Sequence, residues 1–149
     1  NNIHKPLALK VSPDIAGSEI GSIIDSIKRF KISAIIISNT TDKNRENLIG
    51  THKSEKGGLS GKPLNKISND LIKKFYRETK GDIIIIGVGG ISSGLTAYEK
   101  LKSGANLLQL YTGMVYEGPG IVKKIKGELI DILKKEKIKN VSEIVGTGS

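Results

Sequence analysis

The chain has 149 residues, 37% hydrophobic and 26% charged, a size and balance that suit one packed domain and exclude a disordered segment. It contains no cysteine, which excludes disulfides, thiolate metal sites and a cysteine nucleophile. The net charge of +9 comes from 21 Lys and 3 Arg spread along the chain, with 4% aromatics; this lacks the Arg and aromatic interleaving of nucleic-acid readers and, beside 24 Ile, reads as compositional bias.

No apolar run approaches the ~20 residues that span a bilayer. The opening Asn1 to Pro6 has no apolar signal-peptide core, so a soluble globular chain is expected. The first strand is expected over Pro6-Leu7-Ala8-Leu9-Lys10-Val11. Ile20, Ile23, Ile24, Ile27 and Phe30 then follow helical spacing, with Ser18 as a possible cap. Ala34 to Ser38 reads as a second strand, buried on both faces as in a parallel sheet. Thr41 to Lys62 is long, polar and without period, and a loop of that kind in a compact domain is usually functional.

Leu64, Ile67, Leu71 and Phe75 predict a second helix, ended by Gly81. Ile83 to Ile86 is the third strand, and Ala97, Tyr98 and Leu101 a third, shorter helix capped by Ser92 or Ser93. Asn106 to Leu110 is the fourth strand. Pro119 sits where a first helical turn would begin, and Ile121, Val122, Ile125, Leu129, Ile132 and Leu133 line one face of the last helix. Asn140 to Val145 reads as one more short turn and Gly146 to Ser149 as frayed. The resulting βαβαβαβα order predicts right-handed crossovers and four parallel strands alternating with helices.

The chemistry is expected where strands end. Gly87-Val88-Gly89-Gly90-Ile91-Ser92-Ser93-Gly94 lets backbone approach an anion, and the following helix would offer N–H groups at its start. Gln109-Leu110-Tyr111-Thr112-Gly113 is again small and polar where the fourth strand stops. Together these loops resemble the phosphate site of a (β/α)8 barrel; the plainer reading is a tight strand-to-helix turn. A dinucleotide fingerprint fails because Ser92 stands where a third Gly is needed, and a P-loop fails because Lys62 is followed by Pro63.

Lys10, inside an apolar run, either points its charge into a ligand crevice or reaches to solvent. Asn39 suits an amide or carboxylate ligand, or simply makes an Asx turn. His4 and His52 share no metal-ligand spacing, so no metal site is expected, and His52 reads as a solvated loop residue.

Leu9-Lys10-Val11-Ser12-Pro13-Asp14, Ser38-Asn39-Thr40-Thr41, Gly57 to Leu64, Ile86 to Ile91 and Gln109-Leu110-Tyr111-Thr112 closely resemble the dihydroorotate dehydrogenase family. The closing stretch, from Val115 to Gly146, is similar to its quinone-using class 2 members. The resemblance runs from about Lys5 to Gly146 and implies strands five to eight of a (β/α)8 TIM barrel, with residues 1–149 a single partial domain. It implies FMN-dependent oxidation of dihydroorotate to orotate in pyrimidine biosynthesis, with quinone as acceptor.

By motif, Lys10 would lie against the flavin and Ser38 would line its site. Gly61, Gly89, Gly90, Tyr111 and Thr112 would hold the FMN phosphate. Asn39 and Thr40 would hold the substrate, under a lid from Thr41 to Lys56. The family's serine base has no counterpart here and is expected in the missing half, as are the helices that meet quinone and membrane.

A cytoplasmic enzyme, peripheral on the inner membrane, is implied. The chain is then a fragment, a split-gene product or a free half-barrel that binds FMN or another phosphate ligand without turnover. Its open sheet is expected to need a partner, either the missing half or a second copy. A basic interaction protein, built on the Lys-rich final helix, is the remaining alternative.

Overall fold

In a computed structural model, which describes residues 5–43, 45–46 and 48–149, the four apolar runs form one parallel sheet. Its strands are β1 (Ala8–Val11), β2 (Ala34–Ile37), β3 (Ile84–Val88) and β4 (Leu107–Gln109), adjacent in chain order. The crossovers carry α1 (Glu19–Arg29), α2 (Leu64–Thr79) and α3 (Gly94–Lys102). His4, and Asn44 and Asn47 of the expected lid, lie outside the described residues.

Alternation along the strands separates two faces. Leu9, Ile35 and Ile85 share one register row, and Val11, Ile37 and Gly87 the next of the same face. That face meets Ile20, Ile24 and Ile27 of α1 and Leu71, Ile72 and Phe75 of α2 in the main core. Ile35, Ile37, Ile72, Phe75 and Ile85 are fully buried there. The opposite row is Lys10, Ile36, Ile86 and Leu107. It has no helix against it: Ile84 on this face is 48% exposed and Leu107 57%. The fused runs of isoleucine thus read as buried on both faces, yet this chain covers only one.

Local sequence explains most boundaries. Ser93 starts α3 with a capping box, its hydroxyl accepting from Thr96 N while Thr96 Oγ1 accepts from Ser93 N. Lys80 ends α2 in the left-handed region and Gly81 follows with φ +79°, so the stop falls one residue before the predicted glycine. Ser18 stands at the α1 N-cap without a side-chain capping bond, and Phe30 is 68% exposed rather than part of the buried stripe.

Three further features differ from expectation. A short helix, α4 (Thr112–Glu117), follows β4, and α5 (Ile121–Lys135) begins after Gly120, leaving Pro119 just outside it. The short turn Val141–Ile144 is a 3-10 helix, as its position predicted. The tail after it is bound rather than frayed: Gly146 N donates to Leu101 O and Gly148 N to Lys102 O.

The two sheet faces should respond differently to truncation. Ile85→Ala is expected to lower the unfolding free energy of the 149-residue chain by about 2–5 kcal/mol, and Ile84→Ala by under about 1 kcal/mol. Urea denaturation of both variants checks this.

Candidate functional site

A parallel sheet puts every strand's carboxyl end on one edge, and ligands of such folds bind there. A cavity of about 940 Å³ opens at that edge. Lys10, Ser38, Asn39, Thr40, Gly61, Gly89, Gly90, Tyr111 and Thr112 all line it, so the structure brings every singled-out residue to one place. Lys10 is exposed, being on the uncovered sheet face, while Ser38 is buried at the end of β2. His52 also lines the cavity, with its Nδ1 2.6 Å from Glu55 Oε1 on the surface.

Three small-residue stretches meet at one end of the cavity. A Cβ on Gly61 would come within 3.0 Å of Thr112 Cγ2, and one on Gly113 within 2.9 Å of Ile91 O. Gly89 and Gly90 take φ of +111° and +71°, which a side chain would oppose. Among the described residues, no protein acceptor takes the N–H groups of Gly89, Gly90, Ile91, Thr112 or Gly113. A cluster of unpaired backbone donors on a glycine turn fits a phosphate group.

The start of α3 is not part of that donor set, contrary to expectation. Ser92 N and Ser93 N donate to Thr96 Oγ1, Thr96 N donates to Ser93 Oγ, and Gly94 N donates to Glu128 Oε2 at 2.6 Å. The helix gives these donors to its own cap and to α5, and Leu95, whose N–H has no protein acceptor among the described residues, does not line the cavity.

The long loop is anchored at both ends. Thr41, fully buried, donates from Oγ1 to Asp14 Oδ1 at 2.6 Å and pairs through its backbone with Leu59. Asp42 N donates to Asp14 Oδ2 at 3.0 Å. Further along, the Arg45 guanidinium donates to the carbonyls of Glu55, at 2.6 Å, and of Gly57. These bonds hold the described residues of this loop, 41–43, 45–46 and 48–59, as an arch beside the cavity.

Residues 1–133 match the family model described as dihydroorotate dehydrogenase. The chain belongs to that family. It is 47% identical to the dihydroorotate dehydrogenase (quinone) of Trichodesmium erythraeum, matching 98% of this chain and 40% of that protein. It is 46% identical to the mitochondrial dihydroorotate dehydrogenase (quinone) of Kluyveromyces lactis, over 96% of this chain and 33% of that one. The ligand-free enzyme of Eimeria tenella superposes with a TM-score of 0.92 at 36% identity, covering 97% of this chain and 40% of that structure. The chain therefore spans a third to two fifths of the length of these family members, and its four strands are part of the family's barrel.

Sequence reasoning passed over one group behind the site. Lys100 of α3 is fully buried and donates to Asn69 Oδ1 at 2.7 Å and to Ser68 Oγ at 3.1 Å, both on α2. Burial pushes its ammonium down to about 7, with the field of Glu99 opposing. Because the unfolded chain then holds more protons between about 7 and 10.5, this group makes stability rise with pH across that window. The available signal was a Lys one residue before Leu101 in an otherwise apolar stripe, and Ser68 and Asn69 facing inward on α2. Asp14 and Arg45 were also passed over, since their partners are backbone or lie far along the chain.

The arch depends on its root. Thr41→Val should raise amide exchange at Asp42, Lys43 and Leu59 by roughly tenfold, the equivalent of one lost hydrogen bond to a charged group. Hydrogen-exchange mass spectrometry over residues 41–59 measures it.

Proposed function

We propose that the complete protein is an FMN-dependent dihydroorotate dehydrogenase that passes electrons to quinone, with this chain as its strands five to eight. The observation that carries the reading is the convergence of all nine motif residues on one cavity at the carboxyl edge of the sheet. The names of its relatives supply the reaction, the dehydrogenation of dihydroorotate with quinone; the family resemblance implies its place in pyrimidine biosynthesis.

FMN, when bound, supplies the electron acceptor for the substrate. Gly61, Gly89, Gly90, Tyr111 and Thr112 hold its phosphate, chiefly through backbone N–H groups. Lys10 sets a positive charge where the flavin ring would gather negative charge on reduction, an electrostatic role that needs no proton transfer. Ser38 lines the flavin site, and Asn39 and Thr40 orient the substrate's polar groups. The arch from Thr41 to Lys56 excludes water from that side.

The proton taken from the substrate carbon goes to a serine base outside this chain. The segment that completes the barrel covers Ile84 and Leu107, and the quinone and membrane contacts belong to it as well. The complete enzyme is then a cytoplasmic protein peripheral on the inner membrane. Among the described residues of this chain, no helix is long and apolar enough to cross a membrane.

A second reading is favoured by one observation: the unpaired N–H groups of Gly89, Gly90, Ile91, Thr112 and Gly113, read here as phosphate donors, all lie on this chain. A half-barrel that captures FMN without turnover would use the same residues. FMN titrated into the 149-residue chain alone tests it, and saturable binding there is the expected result of that reading.

The main reading is tested on the complete native protein. It should carry bound FMN and form orotate from dihydroorotate with a quinone acceptor. Absence of both overturns it. Lys10→Ala should leave the fold intact and lower flavin affinity or the rate of flavin reduction by at least about tenfold, consistent with losing one electrostatic contact in the site; stopped-flow absorbance reads the rate.

A further inference from the structure

We propose that Lys100 is a positioning residue of the phosphate cradle, the root of two hydrogen-bond arms that aim the N–H groups of the Gly89-Gly90 turn into the cavity. The inference rests on reading that turn as the FMN phosphate site.

The first arm runs through Ser68. Lys100 Nζ donates to Ser68 Oγ at 3.1 Å, and Ser68 Oγ donates to Val88 O at 2.6 Å. Ser38 N donates to the same carbonyl at 3.2 Å. The second arm runs through α2. Lys100 Nζ donates to Asn69 Oδ1 at 2.7 Å, Asn69 Nδ2 to Asn65 Oδ1 at 3.4 Å, and Asn65 Nδ2 to Gly90 O at 3.4 Å. The two arms end on carbonyls on either side of Gly89.

In a trans peptide the C=O and the next N–H point in opposite directions. Drawing Val88 O back toward α2 turns Gly89 N–H outward. Drawing Gly90 O toward Asn65 turns Ile91 N–H outward. These are two of the donors left unpaired in the cavity wall.

Burial alone does not account for a lysine here. A Cβ on Gly87 would come within 2.8 Å of Lys100 Cγ and Cδ, so the glycine that breaks the isoleucine run makes room for the lysine stem. A methionine would fill that space without desolvating an amine. What the amine adds is its donors, and both observed acceptors lead to the turn. Lys100 has no carboxylate in ion-pair contact among the described residues.

Charge reinforces the geometry. Glu99, beside it on α3, is the carboxylate whose field acts on Lys100; Ser68 and Asn69 of α2 and Gly87 of β3, packed on it, do not titrate. The protonated form, dominant below about pH 7, donates more strongly and sets a positive charge behind the phosphate. Affinity for the phosphate should therefore fall as pH rises through that range.

The test uses the apo form of the complete native protein, titrated with FMN and with riboflavin by flavin fluorescence between pH 6.5 and 8.5. Lys100→Met is expected to weaken FMN binding about tenfold, the loss typical of one charge-assisted hydrogen bond, and to leave riboflavin binding unchanged. The wild-type preference for FMN over riboflavin should decline with rising pH, and the variant's should not. Ser68→Ala, a milder change that cuts the first arm, should give part of the same FMN-specific loss, and the double variant no more than Lys100→Met alone.

An unchanged FMN-to-riboflavin ratio in Lys100→Met overturns the inference, as does equal weakening of both flavins. If Lys100→Met does not fold, an unchanged ratio in Ser68→Ala overturns it. Equal binding of FMN and riboflavin by the wild-type protein removes the phosphate reading itself, and with it this inference.

Discussion

Everything in this chain hangs on an in-register parallel ladder covered by helices on one side. Ile35, Ile37 and Ile85 are fully buried between the strands and α1 and α2, with Phe75 and Ile72 opposite. Each such side chain contributes about 1.5–3 kcal/mol by leaving water. Because the strands run the same way and pair without offset, their ends line up, and the loops after them are forced together. The cavity is the geometric result of that packing.

The site is made mostly of backbone. Gly89, Gly90, Gly61 and Gly113 put main-chain groups where side chains would otherwise stand, and the N–H groups of Gly89, Gly90 and Gly113 have no protein acceptor among the described residues, as an anion site on the proposed reading requires. The charges nearby have separate duties. Lys10 stands on the open face, Arg45 gathers carbonyls of the arch, and Glu128 takes the Gly94 N–H that a helix start would otherwise offer a ligand. This division leaves the free N–H groups that line the cavity on the loop before α3 rather than on α3 itself.

What could be read from the sequence was whatever is written locally. Strands showed as short isoleucine runs because their outward rows face a core. Ser93 showed as a cap, and Gly89-Gly90 as punctuation, because cap and turn chemistry act within a few residues. The cavity residues came from motif resemblance, and their gathering followed from βαβ topology. Lys100 was hidden because its burial depends on Gly87, thirteen positions away in another element. The α4 helix was hidden because six residues hold no full period, and the Thr41–Asp14 bond because it spans a whole crossover. The isoleucine runs misled in one respect, since a run buried on both faces in a barrel has one face bare in this chain.

The bound tail carries a consequence for the order of events during synthesis. The last carbonyls of α3 have no partners within their own helix. Gly148 N supplies one for Lys102 O, and Gly146 N adds a second donor to Leu101 O, which Gly104 N already reaches at 2.9 Å, so this end of α3 is reinforced by contacts closed across about 45 residues of chain. Such a closure comes late as a chain emerges. The β1–β3 layer and its two helices can assemble well before then. The end of α3 that leads out of the glycine turn is secured only once residues 146–148 have emerged, so a ribosome paused before them would hold a formed sheet beside an α3 that lacks both bonds.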